Sequence, residues 1–203
     1  MEDPMHSLIM RLKMPSTIAL LIVAGCGSPA RPIETGGTES ITSVDEVDMQ
    51  DINKAASGML ESLLVQGTLS SARNRPAQLV MGAIVNDTSS RFDVGEMTYR
   101  MREQLVNSGQ AAVVTTYSST PEDPTAQDAA KRDAFLKGNA SVPGVDPDFS
   151  LTGKITQVKR QAGDFRQATY TFRLTLTNLR TGLEAWTNVV DVTKQGTKNA
   201  VGF

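Results

Sequence analysis

The chain has 203 residues, of which 20 are lysine or arginine and 22 are aspartate or glutamate, so its net charge is −2. This length predicts one domain with appendages. The near-neutral charge argues against nucleic-acid binding, which requires a basic surface. The one Cys cannot form an internal disulfide or a cysteine-rich zinc site. No apolar run approaches the roughly 20 residues that a helix needs to span a bilayer.

The amino-terminal segment is typical of a secretory signal peptide. Arg11 and Lys13 supply the positive region, and residues 18–24 form a seven-residue apolar run of the length of a signal core. We predict a lipoprotein signal peptide over residues 1–25, which also contains the only His, His6. The starting residue is left open among Met1, Met5, Met10 and Met14.

The apolar run ends in Val23-Ala24-Gly25-Cys26, which resembles the bacterial lipobox of an aliphatic residue, two small residues and Cys. We therefore predict that Cys26 is acylated, and that its acyl chains, at about 0.8 kcal/mol per buried CH₂, anchor the protein in a lipid bilayer. The next residue is Gly27. In enterobacteria-like sorting, Asp at this position favours the inner membrane, so Gly27 favours the outer membrane. We therefore expect a protein that is anchored in the outer membrane and faces the periplasm.

Residues 26–48 are predicted to be the acylated Cys followed by a flexible tether. Residues 27–48 are rich in Gly, Pro, Ser and Thr and have few large apolar side chains. Fully extended, these 22 residues reach roughly 70 Å. The acidic cluster at their end, Asp45, Glu46 and Asp48, is interpreted as a solvated flank in preference to a calcium site.

The globular domain is predicted over residues 49–203 and begins with an amphipathic helix at residues 51–66. Residues 79–85 form a continuous apolar run, which favours a strand buried on both faces. A helix then starts near Asp93, with Glu96 completing a structure like a capping box. Its apolar positions recur at helical spacing and are Val94, Met97, Met101 and Leu105.

A second short strand is predicted at residues 111–116, parallel to the first because a helical crossover separates them. A charged helix follows at residues 125–137. The last third of the domain is predicted to contain three antiparallel strands, at residues 149–158, 170–177 and 183–192, with Trp186 in the core. The predicted fold class is α+β, a mixed sheet of about five strands with a C-terminal antiparallel hairpin and helices packed on the sheet.

The composition also restricts the chemistry. Once the signal peptide is removed, no His remains and the one Cys is acylated, which excludes Ser-His and Cys-His nucleophilic catalysis. His-based zinc sites are excluded for the same reason. No phosphate-binding glycine motif occurs in the sequence. We predict no catalytic residue, no metal and no cofactor, although an enzyme that uses two carboxylates stays an alternative.

The order of these elements resembles that of a known family. The string Leu174-Thr175-Leu176-Thr177-Asn178-Leu179-Arg180-Thr181-Gly182-Leu183-Glu184-Ala185-Trp186 resembles the strand, Gly turn and Trp strand of the LpoB-type activators of penicillin-binding proteins. Residues 149–155 resemble the preceding strand of that family. The lipobox, the linker and the two helices precede these strands in the same order as in that family, and the resemblance covers about residues 50–195.

This resemblance implies a non-enzymatic outer-membrane lipoprotein. It implies contact with a class A penicillin-binding protein and stimulation of peptidoglycan synthesis. A structural or assembly lipoprotein of an envelope or secretion apparatus, with a CsgG-like or TolB-N-terminal-like domain, is the alternative from another class.

Two sets of residues are candidates for partner binding. The first is the polar loop after the buried strand, since such loops commonly carry function; it consists of Asn86, Asp87, Thr88 and Arg91. The second is a basic patch along the C-terminal hairpin, consisting of Arg166, Arg173 and Arg180. An ordinary strand–helix turn and a surface that serves only solubility are the simpler interpretations of these two sets.

Overall fold

The computed structural model describes residues 31–34, 42–115, 124–138, 146–197 and 201–202. Contacts divide the chain into two units, residues 1–32 and 33–203, and the described helices and strands lie in the second. The helices are α1 (Met49–Val65), α2 (Val94–Asn107) and α3 (Pro124–Leu136). The strands are β1 (Thr42–Ser43), β2 (Ala77–Asp87), β3 (Ala111–Val113), β4 (Phe149–Ala162), β5 (Phe165–Asn178), β6 (Glu184–Thr197) and β7 (Val201–Gly202).

The main sheet has five strands in the order β3-β2-β4-β5-β6. Strand β2 is parallel to both β3 and β4, whereas β4, β5 and β6 form an antiparallel meander. Strands β1 and β7 form a separate antiparallel pair. The α+β class, the mixed five-strand sheet and the parallel crossover through α2 are therefore confirmed, and each strand of the meander is longer than predicted, at 14 residues.

The core lies between one face of the sheet and helices α1 and α2. Both helices bury a stripe at the 3.6-residue period, and β4 and β5 bury alternate residues. Trp186 is 4% exposed, as predicted for a core residue. The largest fully buried side chains are Tyr170, Phe149, Phe172, Ile52, Met59, Leu60, Leu63, Leu79, Met97, Met101, Leu105 and Leu151.

The two long helices begin in different ways. At α1, Asp48 accepts from the Asp51 amide and Asp51 accepts from the Asp48 amide, both at 3.0 Å, which completes a capping box. At α2, Asp93 accepts from the amides of the first turn, but Glu96 instead binds the Arg100 Nε at 2.8 Å. The box predicted at α2 was therefore wrong, because an arginine one turn later competes for Glu96.

The prediction that β2 is buried on both faces was wrong. Ala77 and Leu79 are buried, but Val85 is 51% exposed. Val85 points to the side of the sheet that α1 and α2 do not cover. A continuous apolar run indicates a strand, but only the layer packed on each face decides how much of it is buried.

Residues 42–48, which the sequence assigned to the end of the tether, pack against the helix side of the β4–β5–β6 meander. We call this segment the strap. Val47 is buried, and its amide donates to the Ser90 hydroxyl at 3.0 Å. Asp45 pairs with Arg166 at 3.2 Å, and Asp48 pairs with Lys194 at 2.8 Å. Two of the three carboxylates interpreted as a solvated flank, Asp45 and Asp48, are thus ion-pair partners of the distant strands β4, β5 and β6.

Asp148 fastens the start of β2 to the start of β4. It is 4% exposed, and its carboxylate accepts from the amides of Arg73 and Gln78 at 3.0 Å and from the Asn74 side chain at 3.1 Å. Burial opposes ionisation of this carboxyl, but the hydrogen bonds outweigh it and hold the pKa of Asp148 below its ordinary value of 3.8. A buried anion is therefore built into this end of the sheet.

Candidate functional site on the open face of the sheet

One side of the sheet carries none of the buried residues. We call this side, opposite α1 and α2, the open face. Along β5 the buried residues are the even-numbered positions from Ala168 to Leu176, so the odd-numbered side chains point to the open face. Register with β4 and β6 then fixes the rest of the surface. Its threonines are Thr152, Thr156, Thr169, Thr171, Thr175, Thr177, Thr187 and Thr193.

Two neighbouring rows of the open face carry its central charges. In one row, Val85 of β2 lies beside Lys154, which lies beside Arg173, which lies beside Val189 of β6. Val189 is 47% exposed, so the row places two cations between two accessible apolar side chains. Such a mixture of cationic and small apolar side chains suits contact with a protein surface.

The next row crosses the sheet from Asp87 through Thr156 and Thr171 to Asp191. Asp87 Oδ2 lies 2.7 Å from Lys154 Nζ, which links the two rows. The Thr171 hydroxyl donates to Asp191 Oδ1 at 2.6 Å. The rows thus present cations and carboxylates in a fixed pattern, held by strands and not by a loop.

The loop after β2 uses most of its polar groups internally. Asn86 Nδ2 donates to the Ser90 carbonyl at 3.0 Å, and Asn86 Oδ1 accepts from the Thr88 hydroxyl at 2.7 Å. The Ser89 hydroxyl donates to Gln157 Oε1 at 2.8 Å. Of the four predicted residues, Asn86 and Thr88 therefore shape the loop, Asp87 reaches the open face, and Arg91 is exposed beside it.

The structure does not bring Arg166, Arg173 and Arg180 together in one patch. Arg166 lies on the helix side of β5 and pairs with Asp45 of the strap, whereas Arg173 lies on the open face. Arg180 is exposed in the turn between β5 and β6, where its amide donates to Asn178 Oδ1 at 3.0 Å. Lys154, which the sequence did not single out, is the residue that joins Asp87 to the row of Arg173.

Within the described ranges, no group of three or more His, Cys, Asp or Glu side chains is placed to hold a metal ion. In the same ranges, no helix is both long and apolar enough to cross a membrane. Cys26 and the lipobox residues Val23, Ala24 and Gly25 lie outside the described residues.

The model of the family described as peptidoglycan-synthase activator LpoB matches residues 51–192. The chain belongs to the LpoB family. The matched segment contains α1 except its first two residues, and β2 through most of β6, and therefore the two charged rows of the open face. The strap precedes the match, and Lys194 follows it. No curated protein sequence matches the chain.

Solved structures of LpoB proteins resemble this LpoB-family chain at low identity. The C-terminal domain of LpoB from Salmonella enterica is 16% identical to this chain, with a TM-score of 0.43. The match covers 70% of this chain and 98% of the Salmonella chain. The same domain from Escherichia coli is 17% identical, with a TM-score of 0.42, and the match covers 71% of this chain and 99% of the E. coli chain. The NMR structure of E. coli LpoB is 16% identical, with a TM-score of 0.40, and the match covers 95% of this chain and 94% of the E. coli chain.

Proposed function

We propose that this protein binds a class A penicillin-binding protein and stimulates its synthesis of peptidoglycan, without catalysing a reaction itself. The match to the family of peptidoglycan-synthase activators over residues 51–192 carries this proposal. The absence of His and of a free Cys from the sequence after Cys26 supports action by contact, since the common nucleophile–base pairs are unavailable.

The open face is the surface that we assign to the synthase. Its residues Lys154, Arg173, Asp87 and Asp191 lie in two adjacent rows on rigid strands. Charges fixed in this way orient a partner and exclude wrongly charged ones. Exposed valines beside the cations add apolar area to the contact.

The synthase proposal is tested with the purified protein and detergent-solubilised class A synthases. We expect co-purification and an increased rate of glycan-chain polymerisation when the protein is added. Absence of both effects with every class A synthase of the source cell would contradict the proposal. Ring-shaped oligomers without synthase binding would favour an assembly lipoprotein.

We propose that acylated Cys26 anchors the protein in the outer membrane and that the segment after it is a tether facing the periplasm. Val23-Ala24-Gly25 before Cys26, and Gly27 after it, support this proposal. Cys26→Ala should release the protein from the membrane fraction, whereas Cys26-containing protein should sediment with outer membranes. A Cys26→Ala variant that stays membrane-bound would contradict the anchor.

A further inference from the structure

A basic cavity lies near the tip of the β4–β5 hairpin, next to the strap. It has a volume of about 420 Å³. Its lining contains three cationic side chains and one carboxylate, a net charge of +2, and a lining of that sign attracts anions. The residues are Asp45, Lys159, Arg160, Gln161, Arg166 and Gln167.

The carboxylate in the cavity comes from a distant part of the chain. Asp45 Oδ2 lies 3.2 Å from Arg166 Nη1, and Asp45 Oδ1 lies 3.6 Å from Lys159 Nζ. Asp45 is 121 residues from Arg166 in sequence and belongs to the strap. The cavity thus already accepts an oxyanion, which comes from a bend of the strap.

One carboxylate does not use all the donors available there. Arg166 Nε is buried and has no hydrogen-bond partner among the described residues. A guanidinium has five N–H donors and pairs best with oxyanions that accept two at once. Arg160 also lines the cavity, but from a position of β4 that is paired with Gln167 and alternates to the open face. A ligand with more acceptor oxygens than Asp45 would satisfy groups that Asp45 leaves unpaired.

We propose that this cavity is a binding site for an oxyanion ligand, a carboxylate or a phosphate, and that Asp45 is an internal occupant which the ligand displaces. The ion-paired residues of the site, Asp45, Lys159 and Arg166, lie by the strap on the helix side of the sheet, whereas the charged rows assigned to the synthase lie on the opposite face. The proposal is therefore independent of synthase binding.

Displacement of Asp45 affects the strap locally. The phenol of Tyr170 donates to the Val44 carbonyl at 3.4 Å and accepts from Gln157 Nε2 at 2.8 Å. Gln157 in turn holds the loop after β2 through Ser89. A ligand that moves Asp45 also moves the neighbouring Val44 carbonyl, so the amides of the strap and of that loop report on binding together with those of the cavity.

The test uses the full-length protein in detergent and two probes in separate arms, inorganic pyrophosphate and an acetylated, amidated tetraglutamate peptide. Binding is followed by amide chemical shifts of residues 159–167. We expect Arg166→Gln to weaken binding at least about tenfold, the effect of a lost charged hydrogen bond. Arg180→Gln removes an exposed arginine in the β5–β6 turn and should leave binding unchanged.

The decisive variant is Asp45→Asn, which removes the internal occupant and keeps its shape. It should tighten probe binding by about two- to fivefold, the range that a partly exposed ion pair contributes. The arm with the tighter binding identifies the ligand chemistry. No shift in the wild type and in Asp45→Asn with either probe, or weaker binding by a folded Asp45→Asn, would overturn the proposal.

Discussion

Lys154 and Asp87 form a 2.7 Å ion pair between β4 and the end of β2 on the open face. Their side chains are 50% and 62% exposed, respectively, so the pair contributes little to stability. Arg173 lies directly across from Lys154 on β5. Strands hold these charged side chains in position, and breaking the exposed Lys154–Asp87 ion pair costs little free energy. Both side chains are therefore suited to form new ion pairs with a bound protein.

Reversal of charge at Arg173 should weaken the proposed contact with the synthase. We expect Arg173→Glu to lower the affinity for a class A synthase about tenfold or more, because charge reversal turns any attraction between Arg173 and its pairing groups on the partner into repulsion. The free energy of unfolding should change by no more than about 0.5 kcal/mol, since Arg173 is exposed. Affinity is measured by titration of immobilised synthase.

Arg180→Glu is the matched control for this experiment. It makes the same charge change in the β5–β6 turn, away from the central rows of the open face. We expect at most about a twofold loss from the long-range field alone. Equal losses for the two variants would show that net charge, and not the open face, governs the contact.

Asp148→Asn should destabilise the domain. The amide keeps the volume of the carboxylate, but its Nδ2 is a donor facing the donors of Arg73, Asn74 and Gln78. Loss of charge-assisted hydrogen bonds at a buried site costs about 2–3 kcal/mol. Urea unfolding followed by circular dichroism measures the change. An unchanged midpoint would show that these hydrogen bonds are not needed to hold the two strands.

The lowered pKa of Asp148 also predicts acid sensitivity. Because its pKa is lower in the folded than in the unfolded chain, its stabilisation is fully present above the ordinary value of 3.8. That stabilisation is lost as the pH falls through the lower, folded pKa. In Asp148→Asn the contribution is absent at every pH, so the difference in unfolding free energy from the wild type should shrink below about pH 4. A difference that stays constant to pH 2 would contradict this assignment.

Two glycine substitutions should have opposite effects. A Cβ at Gly153 would lie 2.8 Å from both the Arg173 carbonyl oxygen and Leu174 Cδ2, so Gly153→Ala should destabilise the sheet by about 1–3 kcal/mol. Gly58 lies on the exposed side of α1 with nothing within 4 Å of a new Cβ, so Gly58→Ala should stabilise by about 0.5–1 kcal/mol. Thermal unfolding of both variants checks the signs, and a Gly153→Ala variant as stable as the wild type would refute the close contact.

The arginine patch shows how far sequence reasoning reaches. Arg166 and Arg173 are seven residues apart, an odd spacing that places them on opposite faces of one strand. The predicted strand began at Tyr170, after Arg166, so this alternation was not applied to the pair. Residues 159–167 are rich in charged and polar side chains and show no alternation of buried and exposed positions. The sequence pattern therefore did not predict that β4 and β5 extend to the tip of the hairpin.

The sequence alone determined the elements that are recognised from the spacing of neighbouring apolar residues, namely helices α1 and α2 and the alternating strand β5. It also determined that no Cys-His or Ser-His pair follows Cys26. Only the tertiary structure decided that Lys154 joins Asp87 to the row of Arg173 and that Asp45 lies against Arg166. Local periodicity fixes the side of an element to which a side chain points, whereas the partner it meets depends on segments up to 121 residues away, which pack together only in the folded domain.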